Sequence, residues 1–395
     1  MPSLEQTCGQ TCGCGGSREL SAPRLRGDTP EKAGLDPEEI RHLVREVHDL
    51  TTGPRPWAAG AVLIVGRGPY VAVEEAVGWA VRYAAYDEAK EEGVELPPEA
   101  RVPMTTATPF DLASLTKLFT SVAAVQQIER GTLGIDARVG AYLPDFRAAA
   151  RHGITVRQLL THTSGLRPEL PLYDCDDDAE RMELLRAEPP IGVPGTYCYS
   201  DLNLLLLQHV LERITSRTLD VLIHDGITRP LGMTATRFGP CPGAAATEDQ
   251  RRPWAKADRG MLRGLVHDEN AWALGGVAGH AGLFSTGHDL AVFCRALLSG
   301  GAYGPARILG PDFVELLLTP PGLGFAVDQP WFMGELAGRG AAGHTGFTGT
   351  SLVLDPATDS FLVLLANAVH PRRRGADSRP RMAAGTRVAR AMRGR

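Results

Sequence analysis

Strand-type apolar runs stand near both ends of this chain, with helix-type periodicity between them, and this placement constrains the fold more than any other feature. An apolar run over Ala59–Val65 meets a turn at Gly66-Arg67-Gly68-Pro69, and a second run covers Tyr70–Trp79. Runs of this length bounded by Gly and Pro read as the paired strands of a hairpin. Thr350–Leu354, a turn over Asp355–Asp359 and Phe361–Ala366 give a second hairpin at the far end. Strands so distant in sequence predict one antiparallel sheet built from both ends of the chain. The expected class is therefore α/β: an antiparallel sheet flanked by helices, with a mainly helical subdomain inserted.

The intervening pattern supports this. Asp36-Pro37-Glu38-Glu39 supplies an N-cap, a proline at the first helical position and an acidic first turn. Ile40, Leu43, Val44, Val47 and Leu50 follow at helical spacing. A helix opens at Ser114 and runs to about Arg130, with Leu115, Leu118, Val122, Val125 and Ile128 as its buried stripe and Gly131 as its stop. Leu202–Thr215 and Asp289–Leu298 are the clearest helices of the middle region, and Arg381–Arg393 is a basic, Ala-rich closing helix. Residues 80–108, charged and Pro-containing, read as loop. Residues 1–34 read as a flexible tail, leaving 35–395 as a single domain. Its sheet part is expected over about 35–110 and 335–395, and its helical and loop part over about 111–334.

Composition removes several function classes. Of 395 residues, 43% are hydrophobic and 22% charged, which excludes a disordered chain, a collagen or a coiled coil. No apolar run approaches the roughly 18 residues of a spanning helix, so no membrane partner is expected. The net charge of −5 lacks the basic excess of a nucleic-acid binder. The N-terminus has no basic segment followed by an apolar one, so the expected location is cytoplasmic. Cys8, Cys12 and Cys14 crowd that end without a nearby histidine to complete a zinc set, and no metal is expected. The G-x-S-x-G elbow, the phosphate loop and the H-E-x-x-H zinc helix are all absent.

One constellation carries chemistry. Ser114-Leu115-Thr116-Lys117 is an S-x-x-K at the start of an apolar helix, and residues three apart on a helix share a face. The lysine amine thus falls beside the serine hydroxyl, a weak nucleophile that needs a base. The chain has only four lysines, and the apolar flanks Phe110–Ala113 and Leu118-Phe119 argue that Lys117 is not simply solvated. Tyr199-Ser200-Asp201 follows, just before the Leu-rich helix, and then His344-Thr345-Gly346, just before Phe347 and a strand.

Serine, tyrosine and a polar-Thr-Gly strand in this order resemble the serine β-lactamase and penicillin-binding-protein superfamily. The likeness is to the class C β-lactamase-like serine hydrolases, which include esterases, D-aminopeptidases and acyltransferases. Leu159–Leu166, Gly279–Thr286 and Asn367–Pro371 also look like family segments, so the resemblance spans roughly 35–375. It implies that Ser114 is the nucleophile forming an acyl-enzyme. Lys117 and Tyr199 would share the general-base work, with the ammonium drawing the tyrosine pKa down. The backbone N–H groups of Ser114 and Phe347 would form the oxyanion hole. Asp201, His344, Thr345 and Gly346 would contact substrate. No cofactor is implied.

The expected partner is a small-molecule acyl donor, with either water or a second small molecule as acyl acceptor. Hydrolase is the favoured activity. An acyltransferase, a β-lactamase or D-amino-acid peptidase, and an inactive ligand-binding relative are the alternatives. Two departures bear on substrate. Lactamases of the family carry a lysine where His344 stands and an asparagine where Asp201 stands. A histidine gives a weaker anion site, and an aspartate cannot donate to a substrate carbonyl and favours a protonated Lys117. Asp201 also reads as an N-cap. His162, His280 and His370 read as structural histidines, Asp268, Glu269 and Asn270 as a solvated loop, and the arginines from Arg372 to Arg381 as a solvated tail.

Overall fold

The computed structural model describes residues 22–53, 55–375 and 377–392. Its centre is an eight-stranded sheet in which both predicted hairpins lie side by side. The strand Gly60–Arg67 pairs on one side with Tyr70–Val81 and on the other with Ser360–Ala366, in register Val62 to Leu365 and Ile64 to Val363. Ser351–Asp355, Ala342–Thr345 and Ala326–Val327 continue the sheet, and all of these pairs are antiparallel.

The central strands read as continuous apolar runs because both of their faces are covered. On one face, Leu63, Val65, Leu362 and Leu364 pack against the helices Pro37–Asp49 and Arg379–Ala391. Asp36 caps the first of these, accepting from the Glu38 N–H at 2.7 Å. On the other face, Val62, Ile64, Val363 and Leu365 meet the large core of the helical region. Each fully buried Val or Leu in these layers contributes about 1.5–3 kcal/mol of transfer free energy. The helix Gly287–Leu298 lies directly on this face. Its first residue, Gly287, lets it lie close, since a Cβ there would stand 2.9 Å from Ile64 Cδ1 and 3.0 Å from Val62 Cγ1 and would push those side chains aside.

The helix Thr116–Glu129 is buried on nearly every side, with Phe119 stacked on Phe293 at 4.4 Å. Polar side chains buried on it find partners, Thr120 at the Gly279 carbonyl and Gln126 at the Gly226 and Ile308 carbonyls. The helix stops at Gly131, in the left-handed conformation at φ +73°. Its N-terminal lead-in is a short 3₁₀ turn, Ala113–Leu115, so Ser114 stands in that turn and not in the α-helix proper.

Three expectations change. Residues 80–108 hold a hairpin, Tyr83–Asp87 with Glu92–Glu95, and the strand Val102–Pro103 on the main sheet. Tyr83, at the start of that hairpin, is buried, an inward anchor that the charged turn hides from a composition count. Of the stretch expected to be tail, Arg26–Gly27 joins the sheet edge in parallel with Tyr70–Val71, and Ala33 is buried. Cys8, Cys12 and Cys14 lie outside the described residues. The middle region also carries three small sheets: Ala246–Gln250 with Gly260–Arg263, Phe110–Asp111 with Leu283–Ser285 and Arg237–Phe238, and Ala302–Tyr303 with Ala306–Arg307.

Candidate active site

The three predicted motifs converge on one wall of a cleft of about 1490 Å³. Ser114 lies on the 3₁₀ turn, Tyr199 just before the helix Asp201–Thr215, and His344, Thr345 and Gly346 along the edge of Ala342–Thr345; all five line the cleft, as does Phe347. Trp57, Leu160, Phe325, Val327 and Trp331 make much of the remaining wall.

Lys117 is fully buried, and its Nζ donates to Ser114 Oγ at 2.8 Å and to the His280 carbonyl at 3.2 Å. The same ammonium pairs with Asp201 Oδ1 at 2.8 Å and sits 4.9 Å from the centre of the Tyr199 ring. The Tyr199 hydroxyl is within hydrogen-bonding reach of both Lys117 and Ser114. Burial opposes the charged lysine, but Asp201 and the phenol outweigh it and hold the ammonium above its ordinary range. For Tyr199, burial pushes the pKa up further than Lys117 pulls it down. The expected depression of the tyrosine pKa is thus reversed in the resting site, because the phenol is desolvated.

Asp201 is neither the N-cap nor part of the cleft wall. Ser200 is the cap residue, and the Asp201 carboxylate lies against Lys117, where a buried ammonium draws the nearest anion. His344 behaves as expected: burial and the Lys117 charge hold its pKa down at about 4. Its Nδ1 donates to the Thr345 carbonyl at 2.7 Å, leaving Nε2 as an acceptor. Gly346 admits no side chain, since a Cβ would fall 2.0 Å from Thr350 Oγ1 and 2.5 Å from the Leu112 carbonyl. That closeness presses the strand end against the serine turn.

Several groups that the sequence left in the background frame the site. His162 is at φ +54°, lines the cleft and tilts over the Tyr199 ring at 4.7 Å. Its Nδ1 accepts from the Ser200 N–H at 3.2 Å and the Asn203 amide at 3.1 Å, so it fixes the segment that carries Tyr199. Asp268 is no solvated loop residue: it caps the helix Glu269–Ala273 and accepts from His280 Nε2 at 2.9 Å. Asn270 bonds the Leu170 carbonyl at 2.8 Å, and Glu269 pairs with Arg373 at 2.5 Å. Ligand atoms of Asp201, Asp268 and His280 approach one another within 4.8 Å. Lys117 pairs with Asp201 and His280 Nε2 donates to Asp268, so both carboxylates are already engaged. The only one of the three structural histidines wholly removed from the site is His370, which bonds the Arg82 and Tyr83 N–H groups and the Thr247 carbonyl. The Arg372–Arg381 tail expectation also changes: Arg372 stacks on Tyr86 and Trp254, and Arg381 is buried and donates to the Gly346 carbonyl at 2.9 Å.

Burial lowers the pKa of His162 to about 3 and those of His344 and His370 to about 4. The unfolded chain takes up protons on these residues near the ordinary value of about 6.5, whereas the folded chain does not. Stability is therefore expected to fall as the pH drops from 7 toward 4. Urea unfolding at pH 7, 6 and 5 should show a decreasing midpoint, and a constant or rising one would contradict the burial of neutral imidazoles.

With the geometry in place, comparison with known proteins assigns the family. The profile described as Beta-lactamase matches residues 41–386. The chain belongs to the beta-lactamase family. A beta-lactamase-family relative from Escherichia coli (strain K12), which carries the provisional name D-alanyl-D-alanine carboxypeptidase, is 32% identical over 389 residues, covering 88% of this chain and 86% of the relative. Among solved structures, EstCE1, a hydrolase with promiscuous acyltransferase activity, superposes with a TM-score of 0.68 at 22% identity, covering 89% of this chain and 99% of that one. A penicillin-binding-protein homologue from Caulobacter crescentus gives 0.66 at 22% identity, over 91% and 98%. These likenesses show the shared fold, and the family is one of serine hydrolases. No helix among the described residues is long and apolar enough to cross a membrane.

Proposed function

We propose that the protein is a serine acyl-enzyme hydrolase acting on a small ester or amide, with Ser114 as nucleophile and Lys117 and Tyr199 as a shared base. The observation that carries this reading is the fully buried Lys117 Nζ, 2.8 Å from Ser114 Oγ and within reach of the Tyr199 hydroxyl. Ser114 Oγ attacks the substrate carbonyl, and its proton passes to the Lys117–Tyr199 unit. The N–H groups of Ser114 and Phe347 stabilise the oxyanion, the leaving group departs with a proton, and water releases the acid. No cofactor enters this chemistry. Mixing the protein with an activated phenyl ester should give a burst of phenol matching the concentration of sites. Without a burst or turnover on esters and D-alanyl amides, the inactive-relative alternative would replace this reading.

Transfer to a second small molecule in place of water is favoured by one observation. The cleft, at about 1490 Å³, exceeds the roughly 300–1,000 Å³ of common ligand sites. Added alcohol or amine acceptors should then divert product from acid to ester or amide. The name of the Escherichia coli relative adds D-alanyl amides to the substrates worth assaying.

Ester turnover is expected to exceed cephalosporin turnover by orders of magnitude. His344 is neutral at pH 7 where lactamases place a lysine, and Asp201 is engaged with Lys117 and offers no donor to an amide carbonyl. A cephalosporin kcat/KM near about 10⁶ M⁻¹s⁻¹, well inside the usual enzyme range, would show the β-lactamase alternative to be right.

A further inference from the structure

We infer that His267 is a positioning residue that sets the two oxyanion donors relative to each other; this rests on the acyl-enzyme reading above. Its backbone N–H donates to Asp111 Oδ2 at 2.6 Å, and Asp111 Oδ1 accepts from the Ala113 N–H at 2.8 Å. Ala113 immediately precedes the nucleophile and stands at φ +46°, a left-handed conformation that costs a non-glycine residue about 1 kcal/mol or more and persists only where its surroundings impose it. The His267 ring, in turn, stacks on Phe347 at 5.5 Å and 29°. One residue therefore touches the support of Ser114 on one side and the side chain of the second donor on the other.

The loop closes through Thr348, whose hydroxyl donates to the Asp111 carbonyl at 2.7 Å. A buried charge pair fixes the hub itself. His267 Nε2 donates to Glu248 Oε2 at 2.8 Å, and Glu248, with no exposed surface, pairs with Arg373 at 2.7 Å. The Arg373 guanidinium also lies 5.5 Å from the centre of the Phe347 ring. Phe347 is 56% exposed, so nothing like a packed core holds it; its orientation depends on these two neighbours. An oxyanion hole acts only if its donors are fixed before charge develops, which is the work this arrangement performs.

The test uses the full chain and an alkyl boronic acid. Ser114 Oγ adds to the trigonal boron, its proton passes to the Lys117–Tyr199 unit, and the boron, keeping both of its hydroxyls, becomes a tetrahedral anion resembling the transition state. His267→Ala is expected to weaken boronate binding and to lower kcat/KM on a phenyl ester by the same factor, about 10²-fold, the scale of one lost donor. Burst amplitude, which counts folded sites, and inhibition by the product acid are expected to change less than about threefold, so that the loss lies in transition-state stabilisation alone. His267→Gln keeps a donor toward Glu248 and is expected to recover about tenfold over alanine. Phe347→Leu, which keeps the backbone but loses the stacked ring, should lose on the same line. If the wild type binds the boronate and His267→Ala binds it equally well, the positioning role is overturned while the acyl-enzyme reading stands. A loss of burst amplitude with unchanged kcat/KM per active site would reduce His267 to a stabilising residue and overturn it too. If the wild type gives neither a burst nor boronate binding, the acyl-enzyme reading falls and the inference with it.

Discussion

Ser114→Ala is expected to lower kcat/KM on any true substrate by about 10⁴-fold or more, the scale on which loss of a covalent nucleophile is felt. The change deletes one half-buried hydroxyl at the cleft wall. Lys117 keeps its ion pair with Asp201 and its bond to the His280 carbonyl, so no buried charge is stranded. The fold should therefore persist, and the urea midpoint should stay close to that of the parent. The check is kcat/KM on the phenyl ester together with intact mass after mixing. The parent should gain the mass of the acyl group and the variant should not. Residual activity above about one per cent, or an acyl adduct on the variant, would remove Ser114 from the nucleophile's role.

The sheet and the three motifs were legible because each rests on a local signal. The strands Gly60–Arg67 and Ser360–Ala366 are continuous apolar runs between turn residues, and burial on both faces is what makes them so. Ser114 and Lys117 announce themselves by helical spacing beside apolar flanks. The framing groups have no such signal. Asp111 sits in an apolar segment as a lone carboxylate, and only the fold shows it holding the Ala113 N–H. Glu248, His267 and Arg373 are scattered over 125 positions and form one cluster only when the strand Ala246–Gln250 and the segment after Asn367 come together. Residues 80–108 misled for the converse reason: a charged turn outweighed two short, mostly exposed strands.

The sign of the Tyr199 shift shows a further limit. From sequence, an ammonium beside a phenol should lower its pKa, and Lys117 does pull in that direction. What sequence does not give is depth, and burial of the phenol is the larger effect. Asp201 then adds a negative charge that stabilises the lysine proton. The resting site accordingly favours a charged lysine and a neutral tyrosine, and in the proposed mechanism the base forms only when this unit gives up a proton. Activity should rise with pH for that reason, and the two residues should behave as one titrating unit.

Removal of either member of that unit is therefore expected to cost nearly as much as removal of both. Tyr199→Phe keeps the ring against His162 and deletes only the hydroxyl that reaches Ser114 and Lys117. Lys117→Ala takes away the 2.8 Å donor to Ser114 and the charge acting on the phenol, so it damages both functions together. It also leaves Asp201 without its cation, and breaking a buried pair destabilises by about 3–5 kcal/mol, less here because the Asp201 side chain keeps 22% of its exposure. Rates must accordingly be expressed per folded site. Each single change is expected to lower kcat/KM by more than about 10²-fold, as general-base removal allows. The double variant is expected to fall well short of the product of the two, because a proton acceptor lost once cannot be lost again. If Tyr199 were only an aromatic packed before a helix, Tyr199→Phe would be nearly silent. Such a result, or losses that multiply strictly, would show that Lys117 and Tyr199 do not share the proton of Ser114.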